Sequence, residues 1–131
     1  MEHQWPIRVY YEDTDAGGIV YHANYLKFFE RARTEMLRGL GIEQDGLLAS
    51  GIAFVVRSVK MDNHLPARFN EALTVVSQVV NLRRASLTFQ QRLVNEQGQL
   101  LCEADVLVAC LDQNKGKASG IPSSVLGVLK G

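Results

Sequence analysis

Tyr25 to Leu40 read YLKFFERARTEMLRGL, and the spacing of the apolar residues in this stretch decides the fold. Tyr25, Phe28, Phe29, Ala32, Met36 and Leu40 recur three or four residues apart, which is one face of a helix, and Leu26 and Leu37 widen that stripe. A stripe this broad predicts a helix half enclosed by something concave. Opposite charges at Glu30–Arg33, Arg31–Glu35 and Glu35–Arg38 suit the solvated face, where each pair adds only about 0.2–0.5 kcal/mol. Gly39 and Gly41 supply the stop.

Upstream of the helix, Ile7 to Tyr11 predicts a short strand, ended by the polar turn Glu12 to Gly18 (EDTDAGG). Downstream the pattern changes period. Ile52 to Met61 and Leu73 to Leu82 are apolar and β-branched, and Ser86 to Val94 alternates Leu87, Phe89, Gln91 and Leu93 with Thr88, Gln90 and Arg92. Asn95-Glu96-Gln97-Gly98 reads as a hairpin loop leading into a strand from Leu100 to Leu111. Ile121 to Leu129, with Pro122 in its first turn, reads as a final short helix. The order is one strand, one long helix, then four long strands. That predicts an α+β fold, an antiparallel five-stranded sheet curled around one central helix. With no repeat, low-complexity tract or linker, the 131 residues are expected to form a single domain over 1–131.

Fourteen basic residues balance fourteen acidic ones, so no whole-chain field favours nucleic acid or an anionic membrane. No apolar run approaches the roughly 20 residues of a transmembrane segment. The start, MEHQWP, has neither the basic nor the apolar region of a signal peptide. Cys102 and Cys110 fall in one predicted strand, about 26 Å apart at the usual rise, so they cannot pair within it. They read as buried thiols of a reducing, cytoplasmic compartment.

The sequence has no G-x-S-x-G, no G-x-x-x-x-G-K and no G-x-G-x-x-G. His3, His22 and His64 lack metal-ligand spacing, and neither cysteine has a partner two residues away. No metal or cofactor is expected. What remains is Tyr10 to Tyr25, YYEDTDAGGIVYHANY, in which an acidic turn, two glycines and a histidine lead directly into the helix. The first turn of a helix offers unpaired N–H groups and the positive end of the dipole. Aimed at a carbonyl oxygen, one such donor is worth about 3–4 kcal/mol in a tetrahedral transition state. The glycines let the chain double back so that a carboxylate faces the same point. A plain polar loop before a helix has the same composition, so spacing alone leaves both readings open.

The stretch Val9 to Tyr25, continuing through Phe29-Glu30-Arg31-Ala32-Arg33-Thr34-Glu35, resembles the signature of the 4-hydroxybenzoyl-CoA thioesterase family. It is most similar to the branch of bacterial acyl-CoA thioesterases associated with the Tol–Pal system (YbgC-type). The resemblance covers nearly the whole chain and implies a hotdog fold, with the Asn24-to-Gly39 helix at its centre. It also implies a homodimer or homotetramer with active sites at a subunit interface, acting on an acyl-CoA or acyl-carrier thioester. Carried over by residue, it implies that Asp15 is the catalytic carboxylate and that the backbone N–H of His22 polarises the thioester carbonyl. The His22 side chain matches the branch pattern, and Tyr11 and Tyr21 match aromatic positions lining the pocket. Glu30 reads instead as a charged-face partner of Arg33. The depth of the acyl pocket would depend on Phe28, Phe54 and Met61 and on the partner chain.

A thioester suits so sparse a site, because a thiol with a pKa near 8.5 leaves with little help from a general acid. The carboxylate could attack directly or deprotonate water. Coenzyme A also carries phosphoryl groups, and Arg57, Lys60, Arg68, Arg83 and Arg84 are the basic residues in or between the strands. Arg83-Arg84-Ala85-Ser86, at a strand junction with a hydroxyl nearby, is the best phosphate cluster. Two rival functions share the fold class: an acyl-thioester hydratase or dehydratase, and a non-catalytic acyl-CoA-binding protein. The first would need a His–carboxylate pair across the substrate carbons, and the second a lost Asp15 or a broken glycine turn.

Overall fold

The central helix forms over Tyr25–Gly39 (α1) in the computed structural model, which describes residues 1–131. Tyr25, Phe28, Phe29, Ala32, Met36 and Leu37 are its buried face. Leu26 departs from the expected stripe and is 42% exposed. Of the three expected charge pairs only Glu35–Arg38 closes, at 2.5 Å. Arg33 turns inward, and its guanidinium donates to Gln91 Oε1 at 2.9 Å. Burial lowers the Arg33 pKa, and the nearby Glu30 charge opposes that shift. The Gln91 amide is fully buried and donates to the Phe29 carbonyl and to Ser77 Oγ, each at 2.9 Å, so this polar core is satisfied.

The strands are β1 (His3–Arg8), β2 (Ile52–Asn63), β3 (Ala72–Val80), β4 (Ser86–Val94), β5 (Leu100–Asp112) and β6 (Lys117–Ala118). The opening strand lies earlier than Ile7–Tyr11, because Tyr11–Asp13 winds into a short 3-10 turn and takes the chain out of the sheet. Pro6 is tolerated inside β1 because β1 is an edge strand. Two further elements were not expected. One is α2 (Gln44–Ala49), none of whose residues is buried; the other is the two-residue β6, a short hairpin on β5. The final helix α3 is Ser123–Leu129, with Pro122 as its N-cap.

All strand pairs are antiparallel, and the five long strands lie in the order β1-β3-β4-β5-β2, with β6 beside β5 making a sixth. Cys102, Ala104, Val106, Val108 and Cys110 alternate along β5 into the same buried cluster as the α1 stripe, so the sheet curls around the helix. The two cysteines are free. Burial pushes the Cys102 thiol up to about 12. β2 is the other edge and the more open one. Val56 and Val59 pair with Val108 and Val106 and share their inward face, yet are 49% and 40% exposed. No helix is long and apolar enough to cross a membrane.

Candidate active site

The loop before α1 is organised by Asp13, a residue the sequence reading passed over. Its carboxylate is buried and accepts from the Tyr10 N–H at 2.8 Å and from the Asn24 side-chain amide at 2.6 Å. Its carbonyl accepts from the Tyr21 N–H at 3.0 Å. One residue therefore ties the start of the loop to the 3-10 turn His22–Asn24 that opens α1. Asn24 makes no N-cap hydrogen bond, because its side chain is spent on Asp13. Its buried side chain gave no signal in a sequence where Asp13 is one of three acidic residues among four.

Asp15 lies on the exposed side of the same loop. Its N–H donates to the Ile19 carbonyl at 2.9 Å, closing a tight hairpin-like turn through Gly17 and Gly18. The Gly17 N–H donates to Asp15 Oδ1 at 2.8 Å. A Cβ at Gly17 would stand 3.3 Å from that oxygen, a tight contact that would push on the carboxylate. Gly18 has φ +79°, the left-handed region that glycine enters freely. Oδ2 has no hydrogen-bond partner within the chain, and Asp15 lines an open hollow of about 480 Å³ together with Tyr11, Thr14, Ala16, Gly18 and Phe69. Tyr11 and Phe69 meet edge-to-face, with ring centroids 5.8 Å apart. Phe69 is a lining residue of this hollow that the sequence reading missed.

The His22 and Ala23 N–H groups donate to no atom of the chain, as expected for the first residues of a helical segment. The His22 ring packs against Tyr21, centroids 4.7 Å apart, and neither side chain lines the Asp15 hollow in the single chain. A second cavity, of about 380 Å³, lies between α1 and the β2 edge. Phe54, Val55, Val56, Leu87, Phe89 and Val108 form its sheet wall, and Glu30, Arg33 and Thr34 its helix wall. It shares no residue with the Asp15 hollow. Of the three residues named for pocket depth, Phe54 lines this cavity and Phe28 and Met61 do not.

The basic residues are scattered. Arg83 and Arg84 form the β3–β4 turn, where the Arg83 N–H donates to the Ser86 carbonyl at 2.8 Å and the Arg84 carbonyl accepts from Ile121 at 2.7 Å. Asp15 belongs to the opposite end of the sheet, next to the start of β3, where the Val20 N–H donates to the Ala67 carbonyl at 2.8 Å. The nine residues of β3 separate the two ends by about 26 Å. Arg57 sits midway, at the register shift between Val56 and Ser58 in β2. A single chain does not bring Arg57, Arg83, Arg84 or Ser86 to Asp15.

A curled antiparallel sheet around one helix, with a carboxylate on a glycine turn ahead of that helix, is the architecture of the hotdog thioesterases. The thioesterase-like superfamily profile matches residues 9–129, and the chain belongs to that superfamily. An acyl-CoA thioester hydrolase, YbgC, from Escherichia coli O6:H1 is 49% identical over 127 residues, covering 97% of this chain and 95% of that protein. The crystal structure of a probable thioesterase from Bartonella henselae is 36% identical, with a TM-score of 0.86, covering 93% of this chain and 100% of that one. A 1,4-dihydroxy-2-naphthoyl-CoA thioesterase from Synechocystis superposes with a TM-score of 0.93 over 99% of this chain and 96% of that one. At 20% identity it speaks for the fold alone.

Proposed function

We propose that this chain hydrolyses acyl-CoA thioesters with Asp15 as its catalytic carboxylate and the His22 N–H as the donor to the thioester carbonyl. The reaction class is that of the acyl-CoA thioester hydrolase to which the chain is 49% identical. The observation that carries the site is the divided carboxylate of Asp15. Oδ1 is held by the Gly17 N–H, which fixes the group, and Oδ2 is free for chemistry.

In the general-base route Oδ2 takes a proton from water while the water oxygen attacks the carbonyl carbon. The carbonyl π electrons move onto oxygen, where the unpaired His22 amide stabilises them. Collapse of the tetrahedral intermediate breaks the C–S bond, the thiolate leaves, and the proton held by Asp15 returns to it or to solvent. In the covalent route Oδ2 attacks the carbon itself, expels the thiolate, and water opens the resulting anhydride. Both routes use the same atoms. Thiol release by wild-type and Asp15→Asn enzyme tests the assignment.

The working unit of this proposal is a homodimer joined along β2. That strand is twelve residues long, lacks proline, and leaves a row of main-chain donors and acceptors unpaired. Its inward valines Val56 and Val59 are left uncovered, which favours a second copy filling the space. Two-fold antiparallel pairing of β2 would reverse one chain against the other. Arg83, Arg84 and Ser86 of the partner subunit would then lie at the end of the joined sheet that carries Asp15, suiting them to the phosphates of coenzyme A. The cavity under α1 would take the acyl group from the partner's Asp15 in the same way. Two buried free thiols suit a reducing, cytoplasmic setting.

A further inference from the structure

We propose that Phe69 is a substrate-positioning residue that forms, with Tyr11, the aromatic wall against which the C–S–CH₂ segment of the thioester rests over Asp15. This rests on Asp15 being the catalytic carboxylate and adds to it a determinant of leaving-group recognition. Three observations support it.

Tyr11 and Phe69 are 81% and 51% exposed, yet they lie together in the wall of the hollow that Asp15 also lines. Two large aromatic surfaces next to a carboxylate, rimmed by Thr14 and glycine, form a small apolar shelf beside a reactive group. Their edge-to-face arrangement fixes the Phe69 ring relative to Tyr11, and so relative to the Asp15 loop two residues after the Tyr11–Asp13 turn.

The turn that carries Phe69 is tied down on both sides. Asn70 has φ +72°, left-handed for a residue that is not glycine. Its N–H donates to the Val9 carbonyl at 2.9 Å, and its carbonyl accepts from Arg8 Nη1 at 2.8 Å. On the other side of Phe69 the Arg68 N–H donates to Glu71 Oε1 at 2.6 Å, and Arg68 bridges to Ile19 of the Asp15 loop. Ala67 donates to the Tyr25 hydroxyl at 3.2 Å, tying the same turn to the start of α1. Asparagine enters the left-handed region readily, and these bonds on either side fix the turn that presents Phe69.

The chemistry matches the segment. A thioester sulfur is soft and polarizable, and sulfur sits favourably about 5 Å from an aromatic ring, often at its edge. The shelf is beside the carboxylate, where the reacting carbon and its sulfur must lie, and not in the cavity under α1.

The test uses the full-length protein. Phe69→Ala should weaken binding of the thioether S-propyl-CoA, measured by calorimetry, by about tenfold. It should raise KM by the same factor for butyryl-CoA, dodecanoyl-CoA and butyryl-N-acetylcysteamine, because all share the C–S–CH₂ unit. Phe69→Tyr should restore binding and Phe69→Leu should not. A loss confined to the CoA substrates, a loss that grows with acyl length, or full function in Phe69→Leu would each overturn the proposal. So would a change of oligomeric mass in Phe69→Ala, which would make Phe69 an interface residue. Normal turnover by Asp15→Asn would instead sink the reading of the catalytic site, and the calorimetric comparison would still judge Phe69 by itself.

Discussion

The Asp13 carboxylate, buried beneath the loop, accepts the Asn24 side-chain amide at 2.6 Å and the Tyr10 N–H at 2.8 Å, so the chain on both sides of Asp15 hangs from one group. Asn24→Ala leaves a buried carboxylate oxygen without its partner. We predict a loss of about 1–3 kcal/mol in stability, measured by urea unfolding. We further predict that kcat falls more than KM rises, because the His22 amide is no longer held where the carbonyl oxygen gains charge. An unchanged kcat in a stably folded Asn24→Ala protein would separate this hydrogen bond from catalysis.

Asp15→Asn keeps the size of the side chain and leaves an oxygen for the Gly17 N–H, but removes charge and basicity. We predict a kcat lower by at least about 10²-fold, since general-base help is typically worth 10²–10⁴-fold. Substrate binding and unfolding midpoint should be near wild type, because Asp15 is exposed and its only side-chain hydrogen bond survives. A variant keeping more than about a tenth of wild-type turnover would remove Asp15 from the mechanism. A single turnover of wild-type enzyme in ¹⁸O-water distinguishes the routes, with label inside Asp15 for the anhydride and only in the product acid for the general base.

The α1 stripe and the alternation in β4 and β5 were legible because each residue's burial follows from its own element. Leu26 and Arg33 were not. Whether the margin of a helical stripe is covered depends on how far the sheet curls, and Arg33 turns inward only because Gln91 waits on a strand 58 residues away. The glycine loop ahead of α1 was legible as a motif, while its support was not, since Asp13 and Asp15 look alike in EDTD and differ only in which faces Asn24. Phe69 was invisible for a related reason. Nothing local marks it, and its place beside Tyr11 comes from the long β2–β3 connection crossing the end of the sheet.

Val59 is an inward residue of an edge strand with 40% of its surface exposed, so a lysine there is tolerated by one chain and not by a paired one. We predict that light scattering gives an oligomer for wild type and a single-chain mass for Val59→Lys, with activity lost alongside. A wild-type protein that scatters as one chain at working concentration would end the β2 dimer.

The Cys102 thiol, pushed up to about 12 chiefly by burial, lies above its ordinary value of 9.0. The unfolded chain therefore gives up this proton at lower pH than the folded one. Stability from this group is complete below about pH 9 and drains away as pH rises towards 12. Burial raises the pKa of Tyr25 as well, which acts in the same direction. We predict an unfolding midpoint that declines above pH 9, with a smaller decline in Cys102→Ala than in wild type. Native protein should react slowly with a thiol reagent, and urea-unfolded protein should show both thiols. An equal alkaline decline in Cys102→Ala and wild type would assign the loss to other groups.

The last prediction concerns the length of β3, about 26 Å, that separates the Asp15 end of the sheet from the Arg83–Arg84 turn within one chain. Replacing both arginines with alanine should raise KM for acyl-CoA far more than for a short acyl-pantetheine without the nucleotide. If the arginines serve the partner's Asp15, the two defects should complement. An Asp15→Asn chain contributes intact arginines, and an Arg83→Ala, Arg84→Ala chain contributes an intact Asp15. A mixed dimer then holds one site with both groups and one with neither. Random pairing of equal amounts makes about half the dimers mixed, each with one working site of two, so about a quarter of wild-type activity should return at low acyl-CoA. Coexpression of the two chains with different tags, followed by sequential affinity purification, isolates the mixed dimer, which should then show about half. Complementation should appear with acyl-CoA and add little with the pantetheine thioester, which never needed the arginines. A mixed dimer no more active at low acyl-CoA than the mean of its two parents would mean that the arginines act in cis or not at all. An unchanged KM in the double-alanine homodimer would decide for the latter and leave the phosphates to some other basic surface of the molecule.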